Sequence, residues 1–197
     1  MKFCTGCGSK VIRRITVNED RERSVCPHCD TVFYSNPKVI VGCLAHHQDK
    51  VLLCQRAIEP GKGLWTLPAG FMEDGESTAE GAARETWEEA RARVDNMHLY
   101  RVIDAPTINQ VYILYRCVVV NGDFGVGLES TDAGLYMKSE IPWDELAFSS
   151  VSEILRQFYL DLSTGAFPVK AFTLEHVDQF ITRDVIGSIA STCWCHI

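Results

Sequence analysis

Three glutamates, Glu85, Glu88 and Glu89, lie three and four residues apart in the chain. On an α-helix, at about 100° per residue, their side chains fall within an arc of roughly 100°, with neighbouring Cβ atoms about 5–6 Å apart. Hard divalent cations such as Mg²⁺ and Mn²⁺ accept carboxylate oxygens and leave positions for water and phosphate. The spacing therefore indicates a divalent-metal site, and a solvated acidic helix face is the alternative that these three residues leave open.

The helix that must carry these glutamates has its own sequence signals. Ser77 and Glu80 have the spacing of a capping box, which predicts a helix that begins just after Glu76 and covers Ser77–Ala92. Small side chains form a second stripe roughly 120° round from the carboxylates, where they let the helix lie close against a sheet. These are Ala79, Ala82, Ala83, Thr86 and Ala90. The preceding stretch Trp65–Gly75 contains Pro and Gly without helical periodicity, which predicts a loop.

Six residues of this loop and helix follow the order Gly-x5-Glu-x7-Arg-Glu-x-x-Glu-Glu. They are Gly70, Glu76, Arg84, Glu85, Glu88 and Glu89. This run resembles the Nudix box. The chain departs from the family pattern at three positions. Arg91 and Ala92 stand where the pattern closes with Gly and an aliphatic residue, and Thr86 stands at an aliphatic position.

The resemblance implies a role for each residue of the box. The carbonyl of Gly70 and the carboxylates of Glu88 and Glu89 would hold Mg²⁺ or Mn²⁺, and Glu85 would be a ligand or the base. Arg84 would join the catalytic group and form a pair with Glu76, a structural residue, that braces the loop onto the helix. An ordinary surface ion pair is the alternative for Arg84 and Glu76.

Glu129 is a further acidic candidate. It lies in Gly127-Leu128-Glu129-Ser130, where related Nudix proteins often contribute an acidic residue from a loop beyond the box. It is therefore expected to take part in catalysis or metal binding, with an unremarkable loop glutamate as the alternative. Divalent ions would neutralise a diphosphate and lower the pKa of bound water, and Glu85 or Glu129 would take the proton.

Four cysteines near the start of the chain form two Cys-x2-Cys pairs, Cys4 with Cys7 and Cys26 with Cys29. Their spacing matches a four-cysteine zinc ribbon, in which metal bonding replaces the core that about 30 residues cannot build. Disulfides and a redox Cys-x2-Cys are the competing interpretations. Because the first pair begins at residue 4 with no apolar signal segment before it, we expect a cytoplasmic protein with a structural Zn²⁺.

The composition of the 197 residues fits an enzyme with a small appended module. The chain is 46% hydrophobic and carries a formal net charge of −7, which argues against a general nucleic-acid surface. No run approaches 18 apolar residues, so no membrane span is expected. Three further cysteines lie in apolar, strand-like runs and are expected to be buried thiols. These are Cys43, Cys54 and Cys117.

The remaining pattern predicts the fold class. Strands are predicted at Val39–Ala45, Val51–Cys54, Leu99–Ile103 and Val111–Val120, and a second helix at Val151–Leu162. This order indicates an α+β fold, and the resemblance specifies a Nudix-type α/β/α sandwich with a mixed sheet, preceded by the zinc ribbon. The predicted domains are 1–36 for the ribbon, 37–162 for the Nudix hydrolase domain and 163–197 for a C-terminal extension.

The extension itself has no assigned role. Leu174–Ile181 is compatible with a helix, and Cys193-Trp194-Cys195-His196 could bind metal or belong to an unpaired tail.

Three functional hypotheses remain open from the sequence. The whole-chain pattern is similar to zinc-ribbon Nudix proteins related to FAD and ADP-ribose pyrophosphatases, which implies a Mg²⁺-dependent pyrophosphohydrolase. NADH pyrophosphatases share the two modules, although their proline-rich signature downstream of the box is missing here. NAD-capped RNA is a substrate compatible with that second hypothesis. The third hypothesis is a non-catalytic ligand-binding protein.

The expected partner is a small nucleoside-diphosphate compound. Its base would stack on an aromatic side chain, for which Trp65, Phe71 and Tyr112 are candidates, with core packing as the alternative for each. Nudix relatives often dimerise, so the resemblance is compatible with a homodimer.

Overall fold

The computed structural model describes residues Met1–Leu174, and the chain divides into two compact units. The first unit is Met1–Asn36, and the second begins at Pro37. The first unit contains an antiparallel sheet of three short strands in the order β1-β2-β3. The strands are β1 (Ile12–Ile15), β2 (Glu22–Val25) and β3 (Val32–Phe33). Only three residues of this unit are buried, so it has no hydrophobic core of its own.

The second unit is built on an eight-stranded mixed sheet. Its strands are β4 (Lys38–His47), β5 (Lys50–Arg56), β6 (Trp65–Thr66), β7 (Ala69–Phe71), β8 (Val94–Ala105), β9 (Gln110–Val119), β10 (Ser130–Tyr136) and β11 (Lys170–Thr173). The main order is β10-β5-β4-β9-β8-β11, while β6 pairs with β5 and β7 pairs with β4. The β4–β9 and β8–β11 pairs are parallel, and the others are antiparallel.

The central strands bury both faces of the sheet. Because successive side chains of a strand point to opposite faces, Val51 and Leu53 of β5 enter one hydrophobic cluster and Leu52 and Cys54 enter another. The second cluster includes Ala82 and Ala90 of helix α1 (Thr78–Ala90), and the first includes residues of helix α2 (Ser149–Thr164). The two helices thus cover opposite faces, which confirms the α/β/α sandwich with a mixed sheet.

Helix α1 follows the local signals of its sequence. Ser77 is the N-cap, and its hydroxyl accepts from the backbone N–H of Glu80 while the Glu80 carboxylate accepts from the backbone N–H of Ser77. The predicted capping box is therefore present. At the other end Arg91 adopts the left-handed conformation, with φ at 49°, and its N–H donates to the carbonyl of Trp87. This is the position at which the Nudix pattern has Gly, which adopts positive φ without steric cost.

Helix α2 is joined to the sheet by a buried arginine. Arg101 of β8 is fully buried, and its Nη2 donates to Asp161 of α2 at 2.8 Å. Its Nη1 donates to the carbonyls of Tyr100 at 2.8 Å and Pro168 at 2.9 Å, and its Nε donates to Gln157. The Tyr100 hydroxyl donates to the same Asp161 oxygen at 2.7 Å. One side chain thereby holds β8, α2 and the segment after α2 together.

The structure contains strands that the sequence did not predict, including β10. The stretch Trp65–Gly75 is not loop throughout, because β6 and β7 lie within it and pair with the sheet. The sheet also continues past residue 162, where the sequence placed the end of the domain, since β11 pairs with Arg101–Asp104 of β8.

Two further results concern the second unit and its continuation. The three cysteines predicted to be buried thiols, Cys43, Cys54 and Cys117, are buried. The expectations for residues 175–181 and for Cys193-Trp194-Cys195-His196 lie outside the described residues. Of the helices in Met1–Leu174, none has the length and apolar character needed to span a membrane.

Candidate active site

The glutamates of α1 lie against the backbone of β7. The backbone N–H of Ala69 donates to Oε2 of Glu89 at 3.3 Å. Gly70 packs so closely on the Glu85 carboxylate that a Cβ at residue 70 would overlap both of its oxygens. A side chain at residue 70 would displace this carboxylate, so the glycine keeps Glu85 against the backbone of β7.

Burial shapes the electrostatics of these carboxylates. Glu85 and Glu89 are buried, whereas Glu88 is exposed. Burial, together with the neighbouring charges of Glu85 and Glu129, raises the pKa of Glu89 to about 8. Burial also raises the pKa of Glu85, against the opposing effect of Arg84. Carboxylates held in this way are stabilised by a nearby cation, so this all-oxygen donor set fits Mg²⁺ or Mn²⁺.

Arg84 holds the loop and the helix together. Its Nε and Nη2 donate to the two oxygens of Glu76 at 3.0 and 2.8 Å, and Nη2 also donates to the carbonyl of Phe71 at 3.1 Å. Its Nη1 donates to Glu85 at 2.7 Å and to Glu88 at 3.1 Å. Every nitrogen of the guanidinium thus donates to a protein oxygen, and Arg84 is in contact with two carboxylates of the box, Glu85 and Glu88.

Glu76 is correspondingly held in its charged form. The hydrogen bond from Arg84, together with one from the backbone N–H of Glu73 at 2.7 Å, lowers the pKa of Glu76 to about 2. This pair connects the end of the loop to the second turn of α1.

The loop that carries Glu129 is seated on the C-terminal end of α1. The backbone N–H groups of Gly125 and Gly127 donate to the carbonyls of Ala90 and Glu89 at 2.7 and 2.9 Å. A Cβ at Gly127 would overlap the backbone carbonyl of Glu88, so the contact requires glycine. Glu129 is exposed at this point, and its charge acts on Glu85 and Glu89. The structure therefore brings the charge of Glu129 near the glutamates of the box. Glu85, Glu88, Glu89 and Glu129 are called the acidic group below.

A cavity of about 260 Å³ opens beside Gly70 and Phe71. It also contains Tyr112, whose hydroxyl donates to Oε1 of Gln110 at 2.8 Å. Phe71 is half exposed and lies under the ammonium of Lys38 at 4.7 Å from the ring centroid. The cavity is mostly apolar, with a few polar groups, which is the usual character of a small-molecule site.

Trp65 is not part of this cavity. It is 7% exposed and packs edge-on against Tyr136, with ring centroids 5.2 Å apart. Its side chain lies in the core cluster beneath α2, which is the core packing that the sequence left open as the alternative to stacking on a base. Of the three aromatic candidates, Phe71 and Tyr112 line the cavity.

Arg56 is a cavity residue that the sequence analysis missed. Its Nε donates to the carbonyl of Pro60 at 2.7 Å, and its guanidinium lies 5.5 Å from the ring centroid of Phe148. Its positive charge lowers the pKa of Glu89 and Tyr112, which opposes the effect of burial on both. Arg56 thus lies between the acidic group and the cavity. Its signal in the sequence was a cation at the end of an apolar strand.

The four cysteines of the first unit converge on one point. The Sγ atoms of Cys7 and Cys26 are 3.4 Å apart, and Cys29 Sγ lies 3.7 Å from those of both Cys4 and Cys7. A tetrahedral site with Zn–S bonds of about 2.3 Å has edges of about 3.8 Å, whereas a disulfide needs about 2.05 Å. The geometry fits zinc and excludes disulfides among these thiols. The backbone N–H of Gly6 donates to Cys4 Sγ at 3.4 Å, as in a zinc knuckle.

Comparison with known proteins places both units. A family model described as NUDIX domain matches residues 36–159, and one described as Nudix N-terminal, a zinc ribbon, matches residues 2–35. The crystal structure of a NUDIX hydrolase from Nitrosomonas europaea is 46% identical, with a TM-score of 0.83, and the match covers 88% of this chain and 100% of that one.

Two curated relatives are longer than the part that matches. An NAD-capped RNA hydrolase of Schizosaccharomyces pombe is 28% identical over 98% of this chain and 50% of its own length. The phosphatase NudJ of Escherichia coli K12 is 41% identical over 34% of this chain and 42% of its own length. The chain thus spans about half or less of the curated relatives it matches. Since the NUDIX model covers more than half of the 197 residues, and its box residues meet around Gly70, the chain belongs to the Nudix family.

Proposed function

We propose that this protein is a Mg²⁺- or Mn²⁺-dependent pyrophosphohydrolase that cleaves the diphosphate bond of nucleoside-diphosphate compounds, FAD or ADP-ribose first. The observation that carries the proposal is the acidic group of α1 at the mouth of an apolar cavity. Two of its carboxylates are buried, which costs free energy unless they bind a cation. A cation site beside a base-sized cavity is what a metal-bound diphosphate with an attached nucleoside requires.

Each residue of the group has a proposed role. Glu88, Glu89 and the carbonyl of Gly70 would hold the metal, with Glu85 as a further ligand or as the base. When bound, the metal neutralises the diphosphate and lowers the pKa of the attacking water. Glu85 or Glu129 takes the proton from that water. Arg84 fixes Glu85 and Glu88 at their positions and prevents them from separating.

The cavity would bind one end of the substrate. Tyr112 and Phe71 offer aromatic surfaces to a base, and the amide NH₂ of Gln110 offers donors because its oxygen is occupied by Tyr112. Arg56, between cavity and acidic group, would contact a phosphate oxygen. Attack within the diphosphate leaves one phosphate on each half, so FAD gives FMN and AMP, and ADP-ribose gives AMP and ribose 5-phosphate.

In the first unit we propose one structural Zn²⁺ on Cys4, Cys7, Cys26 and Cys29. All four tetrahedral positions are then filled by thiolates, which leaves none for a substrate. The first unit therefore contributes no chemistry to the diphosphate cleavage.

NAD-linked substrates are the second candidate. The observation in their favour is the match of almost the whole chain to a relative named NAD-capped RNA hydrolase. An RNA substrate would add a nucleic-acid partner that the net charge of −7 does not favour. A catalytically inactive binding protein is disfavoured because every carboxylate of the box is present.

The test is a turnover screen with purified protein over FAD, ADP-ribose, NADH, NAD⁺ and an NAD-capped RNA, with Mg²⁺, with Mn²⁺ and with a chelator. We expect metal-dependent hydrolysis with FAD or ADP-ribose as the best substrate. A kcat/KM for NADH or for NAD-capped RNA more than about tenfold above both, or roughly 1.4 kcal/mol of transition-state preference, would move the assignment to the second candidate.

Glu88→Gln and Glu145→Gln form the matched pair of variants for this screen. Both remove one exposed carboxylate of the second unit, but Glu145 lies outside α1. We expect a loss of about 100-fold in kcat for Glu88→Gln, because a ligand of the metal is removed, and none for Glu145→Gln. Equal turnover by the two variants at saturating Mg²⁺ would overturn the metal-site assignment.

A further inference from the structure

One wall of the cavity comes from outside the part of the chain that the NUDIX model matches. The match to the family ends at residue 159, whereas Leu174 lines the cavity together with Gly70, Phe71 and Tyr112. Leu174 is 9% exposed and belongs to the core cluster beneath α2. The side chain of Leu174 therefore packs in the hydrophobic core and also forms part of the cavity wall.

The segment Gly165–Leu174, here called the closing segment, is firmly attached at both ends. Near its start the carbonyl of Pro168 accepts from the buried Arg101 at 2.9 Å, and the ring of Phe167 lies 6.0 Å from that of Phe158. In its second half β11 pairs in parallel with β8, and the N–H of Leu174 donates to the carbonyl of Asp104 at 2.8 Å. The position of Leu174 is thus set by backbone hydrogen bonds and does not depend on its own side chain.

The size of the cavity limits what it can hold. Pockets for drug-sized ligands have volumes of about 300–1,000 Å³, so a cavity of about 260 Å³ accepts a part of a dinucleotide and not the whole. A single nucleobase is the part that suits its two aromatic walls and the free amide of Gln110. The remainder of the substrate would then lie over the acidic group.

We infer that Leu174, at the end of the closing segment, is a specificity residue of this protein and limits the cavity to one nucleobase. The inference rests on the proposed function, since it takes the cavity as the base-binding part of the same site. Nothing in the Nudix box predicts this residue, because it reaches the cavity only through the pairing of β11 with β8.

The experiment compares Leu174→Trp and Leu174→Ala with Val169→Trp in the full chain. Val169 lies on the same segment but is 58% exposed and does not line the cavity, so it is the matched control. The binding of AMP, GMP and UMP is measured by titration calorimetry, and the turnover of ADP-ribose and FAD is measured in parallel. Thermal unfolding of each variant shows whether it remains folded.

For Leu174→Trp we expect the Kd of AMP and the KM of ADP-ribose to rise about tenfold, because the indole fills the cavity. The kcat should change less than about threefold, since the acidic group is not altered. For Leu174→Ala, which is the safer variant for folding, we expect the ratio of AMP to UMP affinity to change about tenfold. Val169→Trp should match the wild type.

Each result separates this inference from the proposed function. If Leu174→Ala keeps the wild-type ratio within about twofold, or if Val169→Trp gives the same changes, the specificity role is overturned. The specificity role is also overturned if the wild type binds none of AMP, GMP and UMP. A wild type that binds AMP in a Leu174-dependent way but hydrolyses none of the compounds would overturn the proposed function and support the specificity role.

Discussion

The two units of this chain are stabilised in opposite ways. In the first unit the buried residues are Cys4, Val25 and Cys26, while apolar side chains such as Phe3 and Ile15 remain more than half exposed. The second unit buries hydrophobic clusters on both faces of its sheet. The difference follows from size, because 36 residues cannot bury enough apolar surface to offset the loss of conformational entropy.

The comparison teaches that a metal has a different relation to folding in each unit. In the first unit the buried sulfur atoms are themselves the ligands, so the free energy of metal binding is also folding free energy. In the second unit the core forms without the metal, and the buried carboxylates Glu85 and Glu89 oppose folding until a cation compensates their charge. Four variants test this contrast, from the largest expected effect to the smallest.

Cys26→Ser should unfold the first unit and leave the second folded. Structural zinc contributes about 10–16 kcal/mol in small modules, far more than three buried residues can replace. We expect one Zn²⁺ per wild-type chain by elemental analysis, none in the variant, and loss of amide-exchange protection confined to residues 1–36. His28→Ser is the control, since His28 is exposed between two ligands and should keep the zinc. If zinc-free protein kept the amide-exchange protection of residues 1–36, the first unit would not depend on zinc for folding, and the contrast between the two units would be refuted.

Arg101→Met should give the largest loss of stability in the second unit without affecting any metal. The change leaves the carbonyl of Pro168 without its donor, and it leaves the buried carboxylate of Asp161 without its positive partner and with only the Tyr100 hydroxyl as a donor. Removal of one partner from a buried ion pair costs about 3–5 kcal/mol. Urea unfolding measures the free energy, and Arg93→Met, at an exposed arginine of the same unit, should cost less than about 1 kcal/mol. Equal costs for the two variants would show that the Arg101 network does not stabilise this unit.

Glu89→Gln should change the chemistry and spare the fold. The amide oxygen still accepts from Ala69, but a charged metal ligand is gone, so kcat should fall about 100-fold, or roughly 2.7 kcal/mol. The free energy of unfolding without metal should not decrease, because a buried carboxylate has been replaced by a neutral group. A variant that is clearly less stable in chelator would contradict this separation of roles.

Ser77→Ala should cost only about 1 kcal/mol, because it removes the hydroxyl that caps α1 and leaves the packing of the helix intact. Ser163→Ala, in the last turn of α2, removes a hydroxyl that caps no helix N-terminus and should cost less. Chemical unfolding of both variants, with kcat measured beside it, gives the comparison. A loss of activity as large as that of Glu89→Gln would mean that the cap itself positions the carboxylates.

Local sequence signals predicted the parts of the molecule that depend on local physics. The cap of α1, the box residues and the cysteine pairs follow from spacing along the chain, and the central strands follow from their apolar runs. Strand β10 was missed because Ser130–Tyr136 is polar and contains Gly134, and it exists through its pairing with β5. Strand β11 was also missed, because it too exists through its pairing, in this case with β8.

Residues of the site that depend on tertiary contacts could not be found in this way. Arg56, at the end of β5, and Leu174, just after β11, reach the cavity from positions that are distant in sequence, and Trp65 is removed from it by the direction of one short strand. The hydrogen bonds of Arg84 are a further example, because a motif gives the position of a residue but not the number of its donors that are already bound.

The attachment of the Glu129 loop has a consequence for engineering of this protein. The loop is held on α1 by backbone groups of Gly125 and Gly127, whereas the side chains of Phe124, Val126 and Leu128, which alternate with these glycines, are exposed. Surface properties of this loop, such as solubility or attachment to a support, can therefore be redesigned at those three positions while Glu129 stays in register with the helix. The two glycines are the positions that a mutational library should leave fixed.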